Sequence, residues 1–334
     1  MKKNRRASLS GRQLYRAIWE TTGTIFYDRE RLAAWGTWEH RFDRRIKDDQ
    51  SAIAFAEQML TSLQDPYTKL TVVAHAAQES QSTDGAAATD SGPSNVLASV
   101  SPSNIGYLRI LGFSDRDVVT DVQKASELLA GCSGIILDLR YNPGGNRDSA
   151  LTCCEVFVRS GVVATIEERR ADGVLRRRIS LTPQVCVWTD ELPDGQTVSE
   201  TYKRLPPVLA GKPLVVLLSG ITASAAEILA MAAIIHGMQG LCVSVGRTSL
   251  GKGIAQTDDI DILGKVKLRI SCGRNLGPGG EWLGDGKGDP DGIEPDIVVA
   301  DDHGPQALAV AAGEIRRMLE ELKQEESPDA KPAS

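Results

Sequence analysis

Three short stretches constrain this chain more than anything else in it: residues 133–139 and the apolar runs Leu214-Val215-Val216-Leu217-Leu218 and Leu241-Cys242-Val243-Ser244-Val245. Such runs read as buried strands. Residues 115–129, about 148–159 and 223–238 carry helical patterns between and after them, and the alternation signals an α/β sheet. Residues 105–111 add a strand. Residues 162–169 and 174–181 flank Ala171-Asp172-Gly173 as a hairpin, 262–271 reads as one more strand, and 305–323 as a terminal helix. Ahead of all this, residues 10–63 read as helical, with Ile53, Ala56, Met59, Leu60 and Leu63 at core-facing spacing. A chain of 334 residues that is 41% hydrophobic and 25% charged can bury one substantial core plus a smaller N-terminal unit. Its net charge of -6 argues against nonspecific nucleic-acid binding. The basic cluster Arg176-Arg177-Arg178 alternates across a strand and reads as a solvated face.

The chemistry sits where two of the apolar runs end. Leu218 is followed by Ser219-Gly220-Ile221-Thr222-Ala223-Ser224, which places Ser224 at the start of a helix, where unpaired N–H groups would stabilise an oxyanion. Val245 is followed by a glycine-flanked loop carrying Gly251-Lys252-Gly253, and Lys252 lies 28 residues after Ser224. A serine hydroxyl is a poor nucleophile unless a neighbour takes its proton, and a lysine can do so once its ammonium form is disfavoured. Taken singly, Ser224 is more often a helix N-cap and Lys252 a solvated loop lysine. Gly-Lys-Gly lacks the first glycine and the Ser/Thr of a P-loop. His236 follows Ser224 by twelve residues on the same helix, roughly 18 Å away, and is no base for it. His40, His75 and His303 read as surface residues. Asp285, Asp289 and Asp291 suggest a calcium loop, but the closing glutamate is absent, so a solvated turn is expected.

A third block, Gly134-Ile135-Ile136-Leu137-Asp138-Leu139-Arg140-Tyr141-Asn142-Pro143-Gly144-Gly145, runs a strand into a tight turn. In this order the three blocks resemble the C-terminal processing peptidases, the tail-specific S41 serine peptidases. The resemblance extends from Asp65-Pro66-Tyr67-Thr68 to Gly292-Ile293-Glu294-Pro295-Asp296. It implies a crotonase/ClpP-like α/β core, with Ser224 as nucleophile, Lys252 as general base and Gln256 orienting the lysine. The backbone N–H of Ala225 and that of Gly144 or Gly145 would form the oxyanion hole. The family's second serine, two places after the nucleophile, is Ala226 here, and the Ser-to-Lys interval is a few residues longer.

These peptidases usually carry a PDZ domain between the helical segment and the core. Only about 35 residues are available here, small and polar over 76–94. The expected organisation is therefore an N-terminal helical segment (1–75), a flexible linker in place of PDZ (76–96), a catalytic core (97–323) and a disordered tail (324–334). The function implied is a serine endopeptidase acting on peptide or protein tails, with no cofactor, metal or nucleic-acid partner and with room for a homo-oligomer or regulatory partner. The alternatives are a non-catalytic peptide- or ligand-binding module on the same fold, or an acyl-CoA enzyme, for which no motif is present. No signal peptide or membrane span is visible, and the six scattered cysteines read as free thiols, so a cytoplasmic location is expected.

Overall fold

The computed structural model describes residues 2–73, 95–115, 117–237, 241–286, 292–300 and 304–325. The expected linker lies almost wholly outside the described residues. The chain opens with α1 (Lys2–Ile25), a short 3-10 turn (Trp35–Trp38) and α2 (Asp49–Thr61). There follow β1 (Lys69–Val72), β2 (Val96–Val100), β3 (Ile105–Ile110), α3 (Val118–Leu129), β4 (Gly134–Asp138), α4 (Arg147–Cys154), β5 (Gly161–Arg170) and β6 (Gly173–Leu181). Next come β7 (Val185–Glu191), β8 (Thr197–Lys203), β9 (Leu214–Leu218), α5 (Ala225–Gly237), β10 (Cys242–Gly246) and β11 (Ile254–Gln256). The last elements are β12 (Ile260–Ile262), β13 (Val266–Arg269), β14 (Ser271–Leu276), β15 (Ile297–Val298) and α6 (Pro305–Glu325). Among the described residues no helix is long and apolar enough to cross a membrane.

The central sheet has the order β15-β10-β9-β4-β3-β2 and is parallel except for the edge strand β2. Successive side chains of its strands enter two different cores. Ile135, Leu137, Val216 and Leu218 pack with α3, α4 and α5, whereas Ile136, Val215 and Leu217 pack with α6. This two-sided burial is why β4 and β9 read as continuous apolar runs rather than alternating ones. A fully buried Leu, Ile or Val contributes about 1.5–3 kcal/mol. Five such residues make β9 a fixed base for the turn that projects from its end.

A second, antiparallel sheet has the order β11-β14-β5-β6-β7-β8. The expected hairpin is β5 and β6. Two strands that the sequence pattern does not reveal, β7 and β8, extend it. Every residue of β8 is exposed, so the strand carries no apolar alternation to betray it.

The expected single strand over 262–271 is three strands in two sheets. Leu263 and Gly264 both take positive φ angles, 54° and 67°, and Lys265 N–H donates back to the Ile262 carbonyl at 3.1 Å, a turn that reverses the chain between β12 and β13. After Ile270 the chain crosses to the second sheet as β14.

The N-terminal segment is not helical throughout. Residues 26–48 are irregular apart from the 3-10 turn, and α2 begins at a reciprocal cap in which Ser51 N–H donates to the Asp48 carboxylate at 2.8 Å. β1 then pairs with β13, and Leu14, Ile18, Phe42 and Met59 share a core with Ile262, Val266, Leu268 and Ile270. Helices and small sheet thus bury one another's apolar faces.

Candidate active site

The loops leaving the C-terminal ends of the parallel strands β4, β9 and β10 meet at one edge of the central sheet, the usual place for a site in an α/β fold. The first two are tied together. Thr222 Oγ1 donates to the Leu139 carbonyl at 2.9 Å, Ser219 Oγ donates to the Arg140 carbonyl, and Ala223 N–H donates to the Asn142 carbonyl at 3.1 Å. Beneath them the buried Asp138 takes two bonds from the Arg140 guanidinium, 2.9 and 2.7 Å, and one from the Tyr107 hydroxyl at 2.7 Å. Burial would push the Asp138 carboxyl up, but Arg140 and Tyr107 bring it below the usual carboxylate range.

Ser224 has a φ of +56°, the left-handed region that a residue with a Cβ adopts at a cost of about 1–2 kcal/mol. Ser224 stands at the position before α5, but this geometry takes its side chain out of the capping role. A capping serine is extended and accepts a helix N–H on its hydroxyl; here φ is positive and Glu227 N–H donates to the Ser224 carbonyl at 2.9 Å, leaving the hydroxyl out of the cap. The Ser224 hydroxyl has no hydrogen-bond partner among the described residues, and it faces a cleft of about 930 Å³. The opposite wall carries Glu20, Thr21, Thr24 and Ile25 of α1. β11, the edge strand of the second sheet, lines the floor through Ile254, Ala255 and Gln256.

The N–H groups around Ser224 sort themselves by partner. Ser224 N–H donates to Glu227 at 2.7 Å, Ala226 N–H to the Ala223 carbonyl at 3.0 Å, and Gly144 N–H to the Asn142 side-chain oxygen at 2.9 Å. Ala225 and Gly145 are left with N–H groups unpartnered among the described residues. Gly144 has a φ of +98°, and a Cβ placed on it would lie 2.8 Å from Ser224 Cβ and 3.1 Å from Ala225 N. Only glycine lets the two turns approach this closely.

Lys252 is tied to the Ser224 turn through its backbone. Glu227, wholly buried, accepts from Ser224 N–H (2.7 Å) and Lys252 N–H (2.9 Å) on one carboxylate oxygen, and from Gly251 N–H (2.7 Å) and Ser249 Oγ (2.5 Å) on the other. Burial pushes the Glu227 pKa up, against the four donors. Lys252 Nζ lies 3.4 Å from Gln256 Oε1 and 4.4 Å from the centre of the Tyr67 ring. Gln256 Nε2 in turn donates to the Tyr67 carbonyl at 3.0 Å. Burial, then the positive charges of Lys69 and Arg269, hold the Lys252 pKa below its ordinary value, while Asp65 and Glu227 pull the other way. Ser224 and Lys252 line one small cavity with Ile228, Met231, Leu276 and Leu283, but no hydrogen bond joins them.

Residues 104–299 match the sequence pattern of peptidase family S41. The chain belongs to that family. It is 31% identical over 203 residues to a carboxy-terminal-processing protease of Bartonella bacilliformis, covering 59% of this chain and 39% of the relative. To a carboxy-terminal processing protease of Bacillus subtilis it is 30% identical over 192 residues, covering 56% of this chain and 34% of the relative. The match thus spans well under half the length of either relative. Among solved structures, a photosystem II D1 C-terminal processing protease superposes with a TM-score of 0.62 at 16% identity, over 92% of this chain and 97% of that one. A lipoprotein from Streptococcus agalactiae gives a TM-score of 0.59 at 14% identity. These likenesses show the fold.

In this S41 chain the structure brings Ser224, Ala225, Gly144, Gly145, Lys252 and Gln256 to one edge of the sheet. Glu227 is the residue that sequence reasoning missed. Its signal was present, because a glutamate three residues after a helix-starting serine is half of a capping box, yet its bonds to Ser249, Gly251 and Lys252 depend on a loop over twenty residues away. Asp285 corrects another expectation. It is not in a solvated turn: its side chain is 15% exposed and pairs with Arg31 at 3.0 Å, while its backbone bridges to Lys252. Asp289, Asp291, His75 and His303 lie outside the described residues. His236 packs against Gly161, its ring within hydrogen-bond reach of the Val162 carbonyl at 2.7 Å, and His40 sits on the surface beside Arg16 and Asp43.

Proposed function

We propose that this chain is a serine endopeptidase that cuts peptide or protein tails with Ser224 as nucleophile and Lys252 as general base. The observation that carries the reading is the turn at Ser224. A hydroxyl on strained backbone, unpartnered among the described residues, stands beside two N–H groups likewise unpartnered among them, in a cavity shared with a lysine whose ammonium form is disfavoured. The neutral Lys252 amine takes the Ser224 proton as Oγ bonds to the scissile carbonyl carbon, and the oxyanion is received by Ala225 and Gly145 N–H. Collapse breaks the C–N bond, with the Lys252 ammonium returning the proton to the leaving amine. Water, deprotonated by Lys252, then attacks the acyl carbon; the Oγ–C bond breaks and the Lys252 ammonium returns the proton to Ser224 Oγ. Gln256 fixes the lysine through its 3.4 Å contact.

The substrate would add as a strand beside β11, whose free edge faces the cleft, with main-chain bonds giving affinity and the apolar cavity at Ile228 and Met231 giving selectivity. Recognition by this cleft and α1 rather than by a PDZ domain is part of the proposal, as is a reducing compartment, supported by six unbridged cysteines. The open Ser224–Lys252 pair favours a second reading, a peptide-binding module without catalysis. A fluorophosphonate probe separates the two. Covalent labelling at Ser224, lost in Ser224→Ala together with hydrolysis of a quenched peptide, is the result expected of the peptidase; an unlabelled chain that binds the peptide intact would establish the module.

A further inference from the structure

The motif Asp65-Pro66-Tyr67-Thr68 lies outside the catalytic loops, yet the structure places it against the base. Asp65 accepts from Thr68 N–H at 2.9 Å and from the Thr68 hydroxyl at 2.5 Å, and that hydroxyl accepts from Ser271 N–H of β14 at 3.0 Å. The turn is thereby anchored to the second sheet. Tyr67, held in it, makes two contacts with the machinery: its carbonyl receives Gln256 Nε2, and its ring face receives Lys252 Nζ at 4.4 Å. Its hydroxyl end is packed close to Gly286, since a Cβ there would lie 2.4 Å from it.

We propose that Tyr67 is the positioning residue of the general base: its ring face holds the Lys252 ammonium away from Ser224 between turnovers, and its carbonyl fixes the glutamine that orients the lysine. A ring face attracts a cation and not a neutral amine. The ammonium is therefore kept on the ring, whereas a deprotonated Lys252 is free to swing along its four-carbon stem to the Ser224 hydroxyl lining the same cavity. The inference rests on the peptidase reading for its purpose, but its geometry does not.

The charges facing Lys252 come from several elements. Lys69 on β1 and Arg269 on β13 oppose the ammonium, while Asp65 in the turn and Glu227 on α5 favour it. Asp285, bridged to Lys252 through the backbone, has its carboxylate paired with Arg31. Among these groups the ring is a neutral contributor that favours the cation, so its removal acts on the lysine without altering net charge.

The test is the ionisation midpoint of Lys252 in the full chain, read by trace acetylation across pH and peptide mass spectrometry. Tyr67→Leu should lower that midpoint by about half a unit to one and a half units, the worth of a partly buried cation–ring contact. Tyr67→Phe keeps the ring and should leave it in place. Should Tyr67→Leu fail to fold, phenylalanine analogues with one to three ring fluorines at position 67 keep the shape and weaken the face, and should lower the midpoint stepwise. A midpoint that neither leucine nor fluorination moves overturns the proposal. Midpoints that shift as expected in a protein whose Ser224 takes no fluorophosphonate would leave the positioning role standing and refute the peptidase reading instead.

Discussion

Gly144→Ala tests whether the approach of the two turns governs the nucleophile. Adding a Cβ has a conformational cost and a steric one, and the molecule supplies a control that separates them. Gly195, at the tip between β7 and β8, has a φ of +82° and nothing within 4 Å of where its Cβ would stand; Gly144 has a φ of +98° with Ala223 O at 2.7 Å and Ser224 Cβ at 2.8 Å. For either site, forcing alanine into this backbone region costs about 1–3 kcal/mol. A stiffer unfolded chain returns about 0.4–1 kcal/mol. Gly195→Ala should therefore lose on the order of 0.5–2 kcal/mol. Gly144→Ala adds the overlap, which in packed interiors costs about 1–3 kcal/mol, for a total of roughly 1.5–5 kcal/mol.

Activity should separate the two variants further than stability does. The overlap pushes on Ser224 Cβ and on Ala225 N, the proposed nucleophile and one proposed oxyanion donor, and loss of a single such donor lowers turnover by about 10²–10³. Urea unfolding gives the stabilities, and hydrolysis of a quenched peptide gives kcat/KM. Gly195→Ala should stay within about twofold of wild type, by the general mildness of surface changes. Equal stability losses in both variants, or full activity in Gly144→Ala, would refute the claim that this glycine is needed for the contact with Ser224.

Ser224→Ala and Lys252→Ala should each abolish hydrolysis, and the double variant should be no worse than either, because the two residues act as one unit; additive losses in kcat/KM would contradict this. With a neutral amine as base, kcat/KM should rise with pH to a midpoint below the ordinary lysine value, and Lys69→Gln, by removing a like charge, should move that midpoint upward; a downward move would invalidate the electrostatic account. Glu227→Gln replaces an acceptor of four donors by a group carrying its own N–H, stranding at least one buried N–H at about 1–3 kcal/mol, so kcat/KM should fall about 10- to 100-fold, and an unaffected value would show that the carboxylate does not hold the site. The Lys252 pKa is depressed in the folded chain, so the lysine's cost to stability is absent above its unfolded pKa and grows as pH falls from there through the folded value; Lys252→Met should be more stable than wild type to urea at pH 7, with the difference vanishing near pH 11.

What the sequence discloses here is what depends on neighbouring residues. β9 was legible because burial on both faces makes every position apolar, β4 because the same burial gives it the core Ile135-Ile136-Leu137, and α5 because it follows β9 closely. The preference for Gly145 over Gly144 as the proposed oxyanion donor was not legible, because it rests on the Asn142 side chain occupying the Gly144 N–H, a matter of side-chain direction. Likewise the partners of Glu227 and the ring beneath Lys252 are set by long-range closure between segments that carry ordinary local patterns. β8 escaped because solvent on every side chain removes the signal that burial writes.

The way the base is held bears on how the site would work. The Lys252 backbone is fixed by Glu227, which also fixes Ser224, so the separation of the two backbones varies little. The side chain is held far more weakly, by one ring face and a 3.4 Å contact to Gln256. The ring contact favours the ammonium over the neutral, transfer-competent amine by about 1–2 kcal/mol, a population penalty on the order of tenfold. A tenfold population penalty is small beside the million-fold and greater accelerations that enzymes reach. An open Ser224–Lys252 pair in the absence of substrate is therefore compatible with catalysis. It also localises control: on the proposed roles, movement of Tyr67 with the segment that pairs through Arg31 with Asp285 would act on Lys252 while leaving the Ser224 turn in place.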